Sequence, residues 1–186
     1  MRVGIFGGTN PNTNPKYMSF AEGLGDILTK EGDIELIWGG NAHGPLAKIR
    51  GKFVANGRKD TLVLPKAYED DLKIMTVENV VLTDLIDERT RKMLSMSDAV
   101  IVIPGGIGTI YEFWTAVETK RAREHDAKII LFNYKGFYDG QLAWFDLVNE
   151  NGFTSIGHGG SPYKTDAKLL FSVAKTPEEV VKYLKN

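Results

Sequence analysis

The stretch "VIVIPGGIGTIYEFW", residues 100–114, decides the fold. Four apolar β-formers run into Pro104, followed by three glycines in four positions (Gly105, Gly106, Gly108), Thr109, and a segment of helical pattern carrying one acid, Glu112. An unbroken apolar run bounded by proline and glycine reads as a strand buried on both faces, the kind found in parallel sheets. A helix following directly on such a strand is part of a strand–helix–strand unit, so the stretch predicts an α/β protein.

The rest of the chain repeats the pattern. Apolar runs at 2–6 ("RVGIF"), 34–38 ("IELIW"), 61–65 ("TLVLP"), 99–104 ("AVIVIP") and 128–132 ("KIILF") read as strands. Helical patterns lie near 17–31, 45–57, 84–97, 109–124 and 138–150. A weaker strand near 169–173 precedes a last helix opened by "TPEE", with Thr176 as N-cap and Pro177 in the first turn. Strands alternating with helices predict a doubly wound, Rossmann-like parallel sheet with helices on both faces. With 186 residues and no repeat or linker, a single domain spanning residues 1–186 is expected. The glycine-rich stretch 152–164, "GFTSIGHGGSPYK", reads as a surface loop or as a flap near a site.

Composition narrows the function classes. Lys and Arg total 23 against 24 Asp and Glu, a net charge of −1, so no global field draws in nucleic acid or an anionic membrane. The absence of cysteine excludes disulfides, thiolate metal sites and a thiol nucleophile. The histidines, His43, His125 and His158, lie far apart and form no H-x-x-x-H pair, so no metal is expected. No segment approaches the ~20 apolar residues of a membrane span. "MRVGIFGGTN" is too short an apolar run for a signal-peptide core, and a soluble cytoplasmic protein is the expectation.

In open parallel sheets, ligands sit beyond the carboxyl ends of strands, where a following helix presents unpaired N–H groups. Gly105, Gly106 and Gly108 strip side chains from such a place, so that backbone amides can surround an oxyanion while Thr109 offers a hydroxyl. The spacing is neither that of a Walker loop nor that of the dinucleotide fingerprint. Two readings stand for Thr109 and Glu112: a T-x-x-E capping box, or ligand-facing groups. Helical spacing also places Arg89 on one stripe with Leu85, Met93 and Met96. Either its stem packs while the guanidinium reaches water or a carboxylate, or it meets a ligand held at the loop.

"DERTRKMLSMSDAVIVIPGGIGTIYE" resembles the paired signatures E-R-K and P-G-G-x-G-T-x-x-E of the LOG (LONELY GUY) family, formerly labelled lysine decarboxylase-like, whose members include cytokinin riboside 5′-monophosphate phosphoribohydrolases. "NPKYMSFAEGLGDILTKEGDIELIWGG" and "LFNYKGFYDGQLAWFDLVNENGF" are similar to further segments of that family. The resemblance implies that Arg89 and Glu112 are catalytic and that Gly105, Gly106, Gly108 and Thr109 bind phosphate. The implied reaction hydrolyses the N-glycosidic bond of a nucleoside 5′-monophosphate, such as a cytokinin riboside monophosphate or AMP, to free base and ribose 5-phosphate, without a cofactor. A nucleotide-binding protein without turnover is the alternative from another class, and a pyrimidine-specific enzyme the alternative within the class. Lysine decarboxylation would require pyridoxal phosphate on a Schiff-base lysine, which nothing at the loop supplies.

The sequence departs from the family pattern at the turn "GGNAHGPLAK" (39–48), where Asn41 follows Gly40 in place of a third glycine. It departs again at Ile86 and Asp87 ahead of Arg89, at Thr90 in place of lysine, and at Tyr111 in place of an acid. Gly40, Asn41 and Asp87 are therefore candidates for contacting base or ribose, Asp87 by accepting from an exocyclic amino group. Against that, Asp87 reads as a solvated helix residue and Asn41 as a left-handed turn residue. A homodimer is implied by the resemblance. An apolar stripe of Phe113, Trp114 and Val117 serves the core, a partner helix, or both.

Overall fold

The computed structural model describes residues 1–41, 43–153 and 167–186. Seven parallel strands form one sheet in the order β4-β3-β2-β1-β5-β6-β7. In chain order these are β1 (Arg2–Phe6), β2 (Glu35–Trp38), β3 (Asp60–Pro65), β4 (Asn79–Thr83), β5 (Ala99–Val102), β6 (Lys128–Phe132) and β7 (Ser172–Ala174). The helices are α1 (Pro15–Lys30), α2 (Gly44–Ala55), α3 (Ile86–Met96), α4 (Ile107–Arg121), α5 (Asp139–Glu150) and α6 (Pro177–Lys185). The doubly wound expectation is met.

Side-chain alternation along the strands builds the two covered faces. Leu36 and Trp38 join Val3, Ile5 and Ile101 in a core shared with Phe20, Leu24 and Leu28 of α1, Ile49 of α2 and Val180 of α6. Ile37, one residue between them, points the other way into a core with Phe6, Val100 and Val102, closed by Met93 of α3, Phe113 of α4 and Phe145 of α5. The stripe on α4 belongs here: Phe113 and Val117 are buried, and Trp114 stacks on Phe145 at 4.7 Å between ring centroids. It serves the core, so its support for a partner helix falls away.

Three elements differ from the sequence reading. The strand β4 is absent from it because this edge strand, "NVVLT", exposes Val80 and Leu82 and lacks a continuous buried run. A 3₁₀ segment, Lys66–Ile74, fills the connection before it. The last strand begins at Ser172 rather than 169, since Ala167–Leu170 form a 3₁₀ turn and only Ser172–Ala174 pair with β6. The last helix starts as expected, with the Thr176 side chain accepting from the Glu179 N–H at 3.3 Å. Most of the 152–164 stretch, His158 included, lies outside the described residues.

The order of strands reverses between β1 and β5: successive strands run outward in one direction from β1 and in the other from β5. Loops leaving the carboxyl ends of these two neighbours must diverge to opposite faces, which opens a crevice between them.

Candidate active site

A cavity of about 610 Å³ occupies this crevice. One wall is the loop after β5. Ile103 N donates to Phe6 O at 2.9 Å and Gly8 N donates to Pro104 O at 3.0 Å, so the sheet ladder continues into the loop. A Cβ on Gly105 would lie 2.1 Å from Thr109 Oγ1 and 2.8 Å from Gly8 N, so only glycine fits there. Gly106 and Gly108 face open space, and a Cβ on either would meet nothing within 4 Å.

The helix α4 has Gly106 as N-cap and begins at Ile107, with no side chain capping its first turn. Thr109 is therefore the third helical residue, and the capping-box reading of Thr109 and Glu112 does not hold. A T-x-x-E box requires the threonine to precede the helix. The amides of the first turn are left free beside the cavity, with the positive end of the helix dipole behind them.

Glu112 lies one turn further along, 7% exposed, and its Oε1 accepts from Arg89 Nη2. Arg89 also donates from Nη1 to Gly39 O at 3.4 Å, while its buried Nε has no partner among the described residues. The arginine thus spans from α3 to the end of β2 and to α4. The two sequence readings of Arg89 meet here: its guanidinium finds a carboxylate, and that pair lines the cavity. Burial pushes the Glu112 carboxyl up to about 7, against the opposing pull of Arg89.

The turn after β2 supplies the next wall. Gly40 (φ 99°) and Asn41 (φ 79°) both take left-handed conformations, and the Asn41 side chain accepts from His43 N at 3.1 Å. Both line the cavity. Asp87 does not: it is exposed on the first turn of α3, while Ile86 and Arg89 line the cavity. Residues three apart share a helix face, whereas Asp87 is turned about 100° from Ile86, which removes it from the wall. Thr90, in the family's lysine position, is buried and returns its hydroxyl to Ile86 O at 3.2 Å.

The segment "LFNYKGFYD" braces the β5 loop from behind. Asn133 accepts from Tyr138 N and donates to Asp139, both at 2.7 Å, and the buried Tyr138 hydroxyl donates to Ile103 O at 2.7 Å. Sequence reasoning missed the loop after β1, where Gly7, Gly8, Thr9 and Asn10 line the cavity, and also Tyr68 and Asp71 of the 3₁₀ segment. The glycine pair in "IFGGTN" was the available signal, since it ends a strand as Gly105 and Gly106 do. Tyr68 and Asp71 carried none.

The family model described as "Possible lysine decarboxylase" matches residues 49–184. The chain is similar to the cytokinin riboside 5′-monophosphate phosphoribohydrolase LOG4 of Arabidopsis thaliana, 29% identical over 184 residues, covering 98% of this chain and 81% of the relative. It is also similar to the probable cytokinin riboside 5′-monophosphate phosphoribohydrolase LOGL1 of Oryza sativa subsp. japonica, 30% identical over 182 residues, covering 97% and 77%. Among solved structures, the molybdenum cofactor binding protein of Rippkaea orientalis superposes with a TM-score of 0.66 at 18% identity, covering 99% of this chain and 94% of that one. The Moco carrier protein of Chlamydomonas reinhardtii gives 0.64 at 19%, with the same coverage. At such identities the likeness to these two is one of fold.

Proposed function

The chain belongs to the LOG family, also described as possible lysine decarboxylases, and from that membership we propose that it hydrolyses the N-glycosidic bond of a nucleoside 5′-monophosphate, giving free base and ribose 5-phosphate. The observation that carries the proposal is Glu112, a carboxylate buried beside a guanidinium and one helical turn from a row of free amides. The 5′-phosphate takes the amides of Gly105, Gly106 and Gly108 and the Thr109 hydroxyl. The ribose then falls beside Glu112. As the C1′–N bond breaks, its electron pair leaves with the base and positive charge grows on the sugar, which the carboxylate stabilises. Water forms the new C1′–O bond and gives up a proton, and the base ends with one proton more. A carboxylate titrating near 7 suits the first transfer, because its affinity for a proton is matched to the working pH. Arg89 neutralises either the phosphate or the leaving base through paired donors.

The older decarboxylase label fares worse on the same residues. Among the described residues, no lysine lines the cavity, so no amine is in place for a Schiff base. Cytokinin riboside monophosphate is the substrate in the names of the relatives, and for this chain it is one member of the proposed class beside AMP and pyrimidine monophosphates.

Glu112→Gln tests the assignment. The variant should fold and bind AMP with an affinity close to wild type, while turnover falls by at least about a hundredfold, the scale on which loss of a proton-transferring group acts. Turnover retained in that variant would remove Glu112 from the chemistry. Binding without turnover in the wild type itself would favour a carrier.

A further inference from the structure

The strand order gives the cavity a direction. From β5 to β3 there are three strand-to-strand steps, through β1 and β2. At about 4.8 Å each they span roughly 14 Å, comparable to a nucleotide from phosphate to the far edge of its base. The bare amides stand after β5. The Arg89–Glu112 pair reaches from α4 to Gly39 at the end of β2. With phosphate at the first and the glycosidic bond at the second, the base lies over the ends of β2 and β3.

What waits there is Leu64 of β3, Ile86 of α3, and Tyr68 and Asp71 of the 3₁₀ segment Lys66–Ile74. Leu72 and Met75 pack against the first hydrophobic core, and Arg50 of α2 ties down Thr76 just beyond, so the segment is anchored on its inner side. Asp71 is half-buried, and no hydrogen bond or ion pair to it occurs among the described residues. The other acid of the cavity wall, Glu112, is committed to Arg89. Asp71 is a carboxylate of the cavity wall with its acceptor capacity unspent.

We propose that Asp71 sets base specificity by accepting a hydrogen bond from an exocyclic amino group, with Tyr68, Leu64 and Ile86 supplying the apolar surround. The proposal rests on the phosphoribohydrolase reading for the direction of the substrate. It makes the preferred substrates amino-bearing nucleotides, AMP and CMP, over the oxo-bearing IMP and UMP. An ionised carboxylate has no donor to offer a carbonyl, so the oxo bases leave it facing an acceptor. It also moves the acceptor role from Asp87, which stands outside the cavity, to a residue inside it.

The test compares kcat/KM for AMP and IMP, and for CMP and UMP, in wild type and Asp71→Asn, with calorimetric binding of AMP and IMP to Glu112→Gln and to Glu112→Gln/Asp71→Asn. Wild type should favour the amino base, and Asp71→Asn, whose amide both donates and accepts, should narrow the ratio by about tenfold or more. The same narrowing should appear in binding to the Glu112→Gln pair of proteins. If wild type turns over no nucleotide yet AMP binds better than IMP and Asp71→Asn narrows that gap, the hydrolase reading falls and the base assignment stands. If wild type turns over nucleotides and the ratio is the same in Asp71→Asn, the base assignment falls alone. Tyr17 of α1 lines the cavity at its other end, its ring 5.0 Å from that of Phe137 beyond β6, and Tyr17→Ala is the control for substrate direction: a shift of base preference there, with none in Asp71→Asn, would reverse the substrate and overturn the proposal.

Discussion

Glu112 shows how much a single side chain's surroundings decide. Its spacing from Thr109 matches a helix cap, yet the helix starts at Ile107 and leaves both residues inside it. The sequence carries no cap signal at Gly106, which is why the start was misplaced by two residues. On the proposed function that lack of a cap has a use, since a capping side chain there would occupy the amides assigned to the phosphate. The raised proton affinity of Glu112 gives a signed prediction. In the proposed reaction the ionised carboxylate takes the proton from water, so kcat/KM should fall about tenfold per unit below pH ~7 and level off above it. The stability effect has the opposite sense. The folded chain holds this proton more tightly than the unfolded chain, whose carboxyl titrates near 4.5, so the contribution is complete below 4.5 and is lost as pH rises through about 7. Melting curves of wild type and Glu112→Gln across this range check it: the wild type should lose ground to the variant as pH rises. A constant difference in melting temperature, or a rate that is flat through neutrality, would contradict the assignment.

At the scale of elements, the β5 loop holds glycines of two kinds, one needed by the fold and others that the proposed function assigns to the phosphate. Gly105 is wedged between Thr109 and Gly8, whereas Gly106 and Gly108 face space. Gly105→Ala should therefore destabilise the protein, by about 1–3 kcal/mol for an overpacked contact. Gly108→Ala should leave the melting temperature unchanged or higher, because alanine favours a helix by up to about 1 kcal/mol over glycine. The same variant should weaken AMP binding, its methyl standing where the phosphate approaches. Thermal melts and calorimetry on the two variants separate these roles, and normal AMP affinity in Gly108→Ala would take the phosphate away from the loop. The buried strands and the loop between β5 and α4 were legible in sequence because each rests on a local, contiguous pattern. The edge strand β4 was not, since its exposed valine and leucine break that pattern. The 3₁₀ segment was not either: "KAYEDDLKI" has few apolar residues, and its role arises from where β3 delivers it.

For the whole molecule, the decisive fact is the reversal of strand order at β1 and β5, which gathers the loops at 7–13, 39–41 and 104–106, the 3₁₀ segment at 68–71 and the first turns of α4 around one cavity. No local pattern encodes that convergence, so Arg89 and Glu112 could be paired from sequence only through the family resemblance. No helix among the described residues is long and apolar enough to cross a membrane. We propose a homodimer, on family grounds and on the apolar side chains left outside where α3 and α4 begin, Ile107 being 92% exposed and Leu85, just before α3, 59%. Light scattering at micromolar concentration should give about twice the 20.6 kDa of one chain, and Ile107→Glu should shift the mass toward that of one chain. A single-chain mass in the wild type would count against it. The central claim is the bond that breaks. Purified protein incubated with AMP, CMP, IMP, UMP and a cytokinin riboside 5′-monophosphate, followed by chromatography and a ribose 5-phosphate assay, measures it directly. The account predicts free base and ribose 5-phosphate appearing in equal amounts from at least one of them; every nucleotide recovered intact from protein that demonstrably binds it would contradict the account.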